Sequence, residues 1–184
     1  MRSPLHSVHW YPADRWLQNS LAPQWRNWLA DQGSLTKRLV AASSGCFSVR
    51  IIRQGYGRPS RNEARALGLP LRQQALIRET VLSGNNAPWV YARSIVPLAT
   101  LSGRLRALAN LDNRPLGALL FADKTLRRGA IDIARIPGRA IPEHLAKDAS
   151  WLWGRRSLFY LDNKPLLVSE IFLPDFNQEV APVA

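Results

Sequence analysis

The sequence predicts an α+β fold: a single antiparallel β-sheet with flanking helices. Strand-like runs come in pairs joined by short turns, SGNNA at 83–87 and DNK at 162–164. Apolar residues recur at helical spacing on either side of these pairs. The strand–helix–strand alternation that a parallel sheet requires is missing. With 184 residues the chain has the size of one domain, and a chain this long buries roughly 70% of its unfolded surface. We therefore expect one domain over 1–184, with 1–20 and 175–184 at its periphery.

The elements follow in order. The opening stretch is Pro-interrupted and Trp-rich, and His6 and His9 read as part of an exposed tail. Trp25, Trp28 and Leu29 in APQWRNWLAD share a helical face directed to the core, with Gly33 placed to stop the helix. GSLTKRLVAASSG follows without a clear assignment. CFSVRIIRQ (46–54) is β-rich, and GYGRPSRNEARALGLP (55–70) reads as a loop with one short helical turn. Strands are expected at 75–82, 88–97, 129–136, 152–161 and 165–174. Between them, Thr100 is the expected N-cap of a helix over 101–110, and Pro115 the first residue of another over 115–121. The stretch 137–150 reads as a mobile loop, and 175–184 as a frayed tail.

Composition excludes several function classes. No run approaches 18 apolar residues, so a membrane-spanning helix is not expected. The N-terminus lacks the apolar core of an export signal, and the lone Cys46 excludes an internal disulfide; both favour a reducing cytosol. The three His and one Cys lack the spacing of a zinc site. Phosphate-binding glycine motifs and the GxSxG elbow are missing too, so the expected chemistry uses no metal, cofactor or nucleophile triad. A net charge of +12 raises nucleic-acid binding first. The basic residues, however, are scattered and never run beyond pairs, which fits a basic surface or a field drawing in a small anion. Nucleic acid is therefore not an expected partner.

Strand parity points to two charges on faces that should be dry. In 165–174, Glu170 shares a face with Leu166, Val168 and Phe172; in 75–82, Arg78 shares one with Leu76, Thr80 and Leu82. A buried charge is costly unless paired and hydrogen-bonded. Arg78 and Glu170 could pair with each other, Glu170 could reach water at a sheet edge, or both could face a polar ligand in an enclosed pocket. Glu79 is a rival candidate, placed between Ile77 and Val81 on the opposite face. Parity does not choose among these readings.

Several segments resemble one known family. SLTKRL (34–39), LIRETVL (76–82), ARSIVPLATLSG (92–103), NRPLGALLF (113–121), LWGRRS (152–157) and KPLLVSEIFLP (164–174) are similar, in order, to chorismate lyase. The resemblance implies a single antiparallel sheet with helices and an internal ligand cavity under mobile flaps, without a cofactor. It also implies cleavage of chorismate to 4-hydroxybenzoate and pyruvate, the first committed step of ubiquinone biosynthesis. Carried over by motif, the family's site arginine falls on Arg78 and its glutamate on Glu170, with backbone N–H contacts at Leu35 and Leu116. Leu stands at 35 where Met is common in the family, and 138–150 is longer than in some members.

The implied chemistry needs positioning rather than a nucleophile. Loss of the enolpyruvyl ether and of the adjacent ring hydrogen makes the ring aromatic, which supplies the driving force. Arg78 is expected to hold a substrate carboxylate in bidentate fashion. Glu170 is expected to orient the ring hydroxyl or to take the departing proton. Lys37, Arg38, Arg155 and Arg156 are candidates for the second carboxylate, each also readable as a solvated charge. A monomer is expected. The alternative function is a non-catalytic benzoate-binding domain of the same fold; regulators of that kind carry an upstream helix-turn-helix domain, for which the thirty or so residues before SLTKRL leave no room.

Overall fold

A computed structural model describes residues 5, 8–17 and 21–180. In chain order the elements are β1 (Tyr11–Pro12), α1 (Ala13–Leu17), α2 (Pro23–Leu29), α3 (Leu35–Ala42), β2 (Phe47–Gly57), α4 (Arg61–Ala66), β3 (Ala75–Gly84) and β4 (Ala87–Pro97). A 3-10 helix over Gly103–Asn110 leads to α5 (Leu116–Ala122) and β5 (Arg127–Pro137). After a 3-10 turn (Gly138–Ala140) come α6 (Glu143–Ala146), β6 (Trp151–Leu161), β7 (Lys164–Phe172) and α7 (Pro174–Glu179). The strands form one seven-stranded sheet in the order β1-β5-β6-β7-β4-β3-β2, and each neighbouring pair is antiparallel.

Local sequence fixes the tight turns. Asn85 and Asn86 join β3 to β4 with φ of 51° and 63°, and Asp162 and Asn163 join β6 to β7 with φ of 48° and 61°. Two successive left-handed residues match the twist of a hairpin, and Asn and Asp tolerate that conformation best after glycine. Register then follows from parity, since one face of every central strand must be dry.

Both faces of the sheet are covered. On one, two apolar clusters lie apart. The first gathers Trp25, Leu29 and Leu39 of the helices with Leu82, Ile133, Phe172 and Phe176; the second gathers Leu76, Val96, Phe159, Leu166 and Val168 under Leu116 and Leu120. The opposite face carries Ile77, Ile95 and Leu167 at one end and Val81, Tyr91 and Ile171 at the other.

Tertiary packing overrode several local readings. The segment 137–150, expected to be a mobile loop, contains α6, and Ala140, Ile141, Leu145 and Ala146 are buried in the core. The ends are not peripheral: Leu5 and Val8 are buried, β1 pairs with β5, and Phe176 of α7 is fully buried where a frayed tail was expected. Lys147 clamps Asp175 of that helix at 2.6 Å. His9 is exposed as expected, and His6 lies outside the described residues. Thr100 does not cap a helix. Its hydroxyl donates to the Pro165 carbonyl at 2.7 Å, and the segment after it is 3-10 from Gly103. Pro115 is the cap before α5 rather than its first residue. The strand after Cys46 runs to Gly57, and Arg61–Ala66 is a helix closed by a Ser60/Glu63 capping box. GSLTKRLVAASSG is α3, capped by the Ser34 hydroxyl accepting from the Lys37 N–H.

Candidate active site

Between the two clusters on the helix-covered face runs a band of polar side chains. Leu76 belongs to one cluster and Leu82 to the other, and Arg78 and Thr80 fall in the gap. Along β7, Val168 and Phe172 belong to opposite clusters with Glu170 between them. Cross-strand register keeps the band continuous: Arg78 stands opposite Ser94 and Ser94 opposite Val168, while Thr80, Ala92, Glu170 and Arg155 follow one another across four strands. A partly open pocket occupies the band beneath α3 and α5, with Arg78, Arg128, Arg155 and Glu170 as its ionisable lining. Its free volume is about 40 Å³, far below the roughly 300 Å³ of the smaller small-molecule sites.

Arg78 is 3% exposed. Its Nη1 donates to Gln54 Oε1 at 2.7 Å, and Nη2 to the carbonyls of Asp112 and Arg114 at 2.6 and 3.2 Å. Burial pulls the guanidinium below its ordinary pKa, with Asp112 opposing. These contacts tie the strand to the loop that leads into α5. Glu170 does not pair with Arg78. Its partner is Arg155, its direct neighbour on β6, whose Nε donates to Glu170 Oε2 at 2.6 Å. Arg155 is 1% exposed and its Nη1 also donates to the Trp28 and Asp31 carbonyls. The buried ion pair considered from parity thus exists with a different arginine, and Glu170 still lines the pocket.

The roof is made by two helix starts. Leu35 is the first residue of α3 and Leu116 the first of α5, and both line the pocket. First-turn N–H groups have no acceptor within their own helix. Gly117 allows the two helices to close: a Cβ there would stand 2.5 Å from Thr36 Oγ1. That is the physical content of the glycine in PLG.

Arg128 was missed by the sequence reading. The strand was expected to start at 129, and strict alternation from Ile131 and Ile133 would turn Arg127 to their face, not Arg128. A bulge between Arg128 and Ile131 adds one residue, so Arg128 stands opposite Phe159 and Ile131 opposite Ser157, all on the pocket face. Of the other candidates for a second carboxylate, only Arg155 lines the pocket. Lys37 is exposed, Arg38 stacks 3.7 Å from the Trp28 ring centre, and Arg156 pairs with Asp132 on the far face.

The Glu79 question is settled by register. Glu79 stands opposite Arg93 and forms an ion pair with it, and Arg93 Nε also donates to Glu63 Oε1 of α4 at 2.7 Å. Burial works against the Arg93 charge, but the bonds to Glu63 and then Glu79 outweigh it and raise its pKa. Burial first, and then the Glu79 charge, push the neighbouring Tyr91 hydroxyl upward, with Arg93 opposing. This network joins α4 to the sheet on the face away from the pocket. Among the described residues no three His, Cys, Asp or Glu side chains gather as a metal site, and no helix is long and apolar enough to cross a membrane.

Comparison with known proteins agrees with this architecture. The family profile described as "Chorismate lyase" matches residues 4–181. The chain belongs to the chorismate lyase family. Proteins named "Probable chorismate pyruvate-lyase" are similar to it in sequence. The one from Methylococcus capsulatus is 42% identical, covering 80% of this chain and 93% of that protein. The one from Chromohalobacter salexigens is 43% identical, covering 90% and 88%. Among solved structures, the effector domain of PhnF from Mycobacterium smegmatis superposes with a TM-score of 0.56 at 16% identity, over 79% of this chain and 91% of that one. A GntR-family transcriptional regulator from Bacillus cereus gives 0.53 at 13% identity, over 71% and 93%. The same fold thus also occurs in transcriptional regulators, so fold alone does not decide between catalysis and binding.

Proposed function

We propose that this protein is a chorismate pyruvate-lyase, converting chorismate to 4-hydroxybenzoate and pyruvate at the start of ubiquinone synthesis. The observation that carries the reading is the polar band itself. Arg78 and Glu170 face one pocket from strands two spacings apart and two residues out of step, which places their Cα atoms roughly 12 Å apart. A ring with a carboxylate at one end and a hydroxyl at the other spans that gap between two long side chains. Arg78 takes the ring carboxylate, supported by the N–H groups of Leu35 and Leu116. Glu170 accepts from the hydroxyl through Oε1 while Arg155 holds Oε2. A carboxylate anchored in this way is suited to orient the hydroxyl-bearing carbon rather than to travel to it.

In the reaction the ether C–O bond breaks, the hydrogen on the hydroxyl-bearing carbon leaves, and the ring becomes aromatic. The enol released then tautomerises to pyruvate. The protein contributes position and field: fixed charges aimed at a substrate whose water has been excluded. With so little free volume, substrate enters only when α3 and α5 separate. The Arg78 bonds to the Asp112 and Arg114 carbonyls make that motion sensitive to what Arg78 holds.

The test is direct. Purified protein is mixed with chorismate in the presence of EDTA, and pyruvate and 4-hydroxybenzoate are followed together. Equimolar appearance of both supports the reading. Tight 4-hydroxybenzoate binding with no turnover would instead make the protein a binding domain of this fold.

A further inference from the structure

Chorismate carries a second carboxylate, on the enolpyruvyl arm that leaves as pyruvate. Resting on the function proposed above, we propose that Arg128 is the counter-ion of that second carboxylate, and so the residue that distinguishes the diacid substrate from the monoacid product.

The argument is one of elimination among the pocket's cations, joined to geometry. Arg155 is committed: its Nε is on Glu170 and its Nη1 on two backbone carbonyls. Arg78 lies on the opposite side of the pocket, where it faces the ring carboxylate. Arg128 differs from Arg155 in having no carboxylate partner, and from Arg78 in its place at the far side of the pocket. Its Nε donates to Ser157 Oγ at 3.1 Å, and its Nη1 is shared between the carbonyls of Asp31 and Gly33, each at 3.2 Å. Among the described residues no carboxylate forms an ion pair with it, whereas Arg155 has Glu170. Arg128 is half-buried, 5.1 Å from the Phe159 ring centre, and its charge lacks an anionic partner. Burial and then the nearby Arg155 charge pull its pKa down to about 10, with Glu170 and Asp31 opposing. An arriving carboxylate would supply that partner.

Placement agrees. Arg128 reaches the pocket from β5, on the other side of β6 and β7 from Arg78 on β3. The ring carboxylate, the ring hydroxyl and the enolpyruvyl carboxylate would then meet Arg78, Glu170 and Arg128 in turn. Bulges commonly serve to re-aim one side chain, and the one in β5 turns Arg128 inward. With three arginines against one glutamate, the lining has a charge of +2, which a dianion neutralises and a monoanion does not. Product formation removes one of the two negative charges together with the pyruvate, leaving 4-hydroxybenzoate without a hold on Arg128.

The experiment compares substrate with product. In Arg128→Gln we expect KM for chorismate to rise roughly 10- to 100-fold, the loss of one charge-assisted contact, with kcat within a few-fold. Inhibition by 4-hydroxybenzoate should stay within about two-fold of wild type, whereas Arg78→Ala should weaken substrate and product together. A chorismate KM unchanged in Arg128→Gln, or equal weakening of both ligands, overturns the proposal. Binding provides a second arm that needs neither turnover nor a perfectly folded variant. Wild-type protein should bind 3-(carboxymethoxy)-4-hydroxybenzoate, a ring diacid, more tightly than 4-hydroxybenzoate, and Arg128→Lys should keep part of that margin. If the diacid binds no better than the monoacid, Arg128 is not the subsite. Absence of turnover in wild type would reject the lyase reading alone, since the binding arm still reports on Arg128.

Discussion

Replacing Arg155 by Met isolates the role of the buried ion pair. The substitution removes the 2.6 Å bond to Glu170 and the donor to the Trp28 carbonyl, and leaves the Asp31 carbonyl with Arg128 alone. Breaking a buried pair by deleting one partner costs about 3–5 kcal/mol. The Glu170 side chain keeps 17% exposure, so some water can reach it, and the lower end, about 3 kcal/mol, is the expected loss. For a chain of this size that corresponds to a fall in Tm of roughly 6–12 °C. Urea unfolding followed by fluorescence of the seven Trp measures it. The double variant Arg155→Met, Glu170→Met should regain most of the lost stability, because an apolar pair can replace a buried ion pair at little or no cost. It should stay inactive, because the hydroxyl has lost its acceptor. A loss below about 1 kcal/mol in the single variant, or a double variant no more stable than the single, would refute the claim that Arg155 is what permits Glu170 in this layer.

Other expectations follow from the same geometry. Arg78→Ala should lower kcat/KM by at least about 100-fold, and Arg78→Lys should recover only a part, since a point charge cannot replace a planar fork; near-normal kinetics in the Ala variant would remove Arg78 from the site. Glu79→Gln should lower thermal stability yet leave kcat/KM within about three-fold, because its Arg93 network lies on the far face; Glu170→Gln, measured alongside, should do the reverse in emphasis. Gly117→Val should destabilise the fold by about 1–3 kcal/mol through overpacking and depress activity, because its Cβ would press on Thr36 between the roofing helices; circular dichroism melts and steady-state assays read both.

How far the sequence could be read depends on the range of the forces involved. The hairpins were legible because Asn85–Asn86 and Asp162–Asn163 determine their own backbone conformation. Arg78 and Glu170 were legible because period-two alternation is a local property, and a charge among Leu, Val and Phe stands out. The 137–150 segment was misread because α6 spans only Glu143–Ala146, too short to show periodicity; it is stable because Leu145 and Ala146 pack on the sheet. Phe176 was misread as part of a tail for the same reason, since its burial against Trp25, Trp28 and Phe172 is a long-range event.

The chain's own text therefore determined the sheet, its hairpins, the family, and which two charges stand where the interior should be dry. It could not say which partner each charge would find. Arg155 for Glu170 and Arg93 for Glu79 were decided by register between strands far apart in sequence, and the inward turn of Arg128 by a single extra residue in β5. The physical reason is that face alternation is set residue by residue along a strand, whereas pairing, bulges and enclosure exist only once separate strands have been hydrogen-bonded side by side.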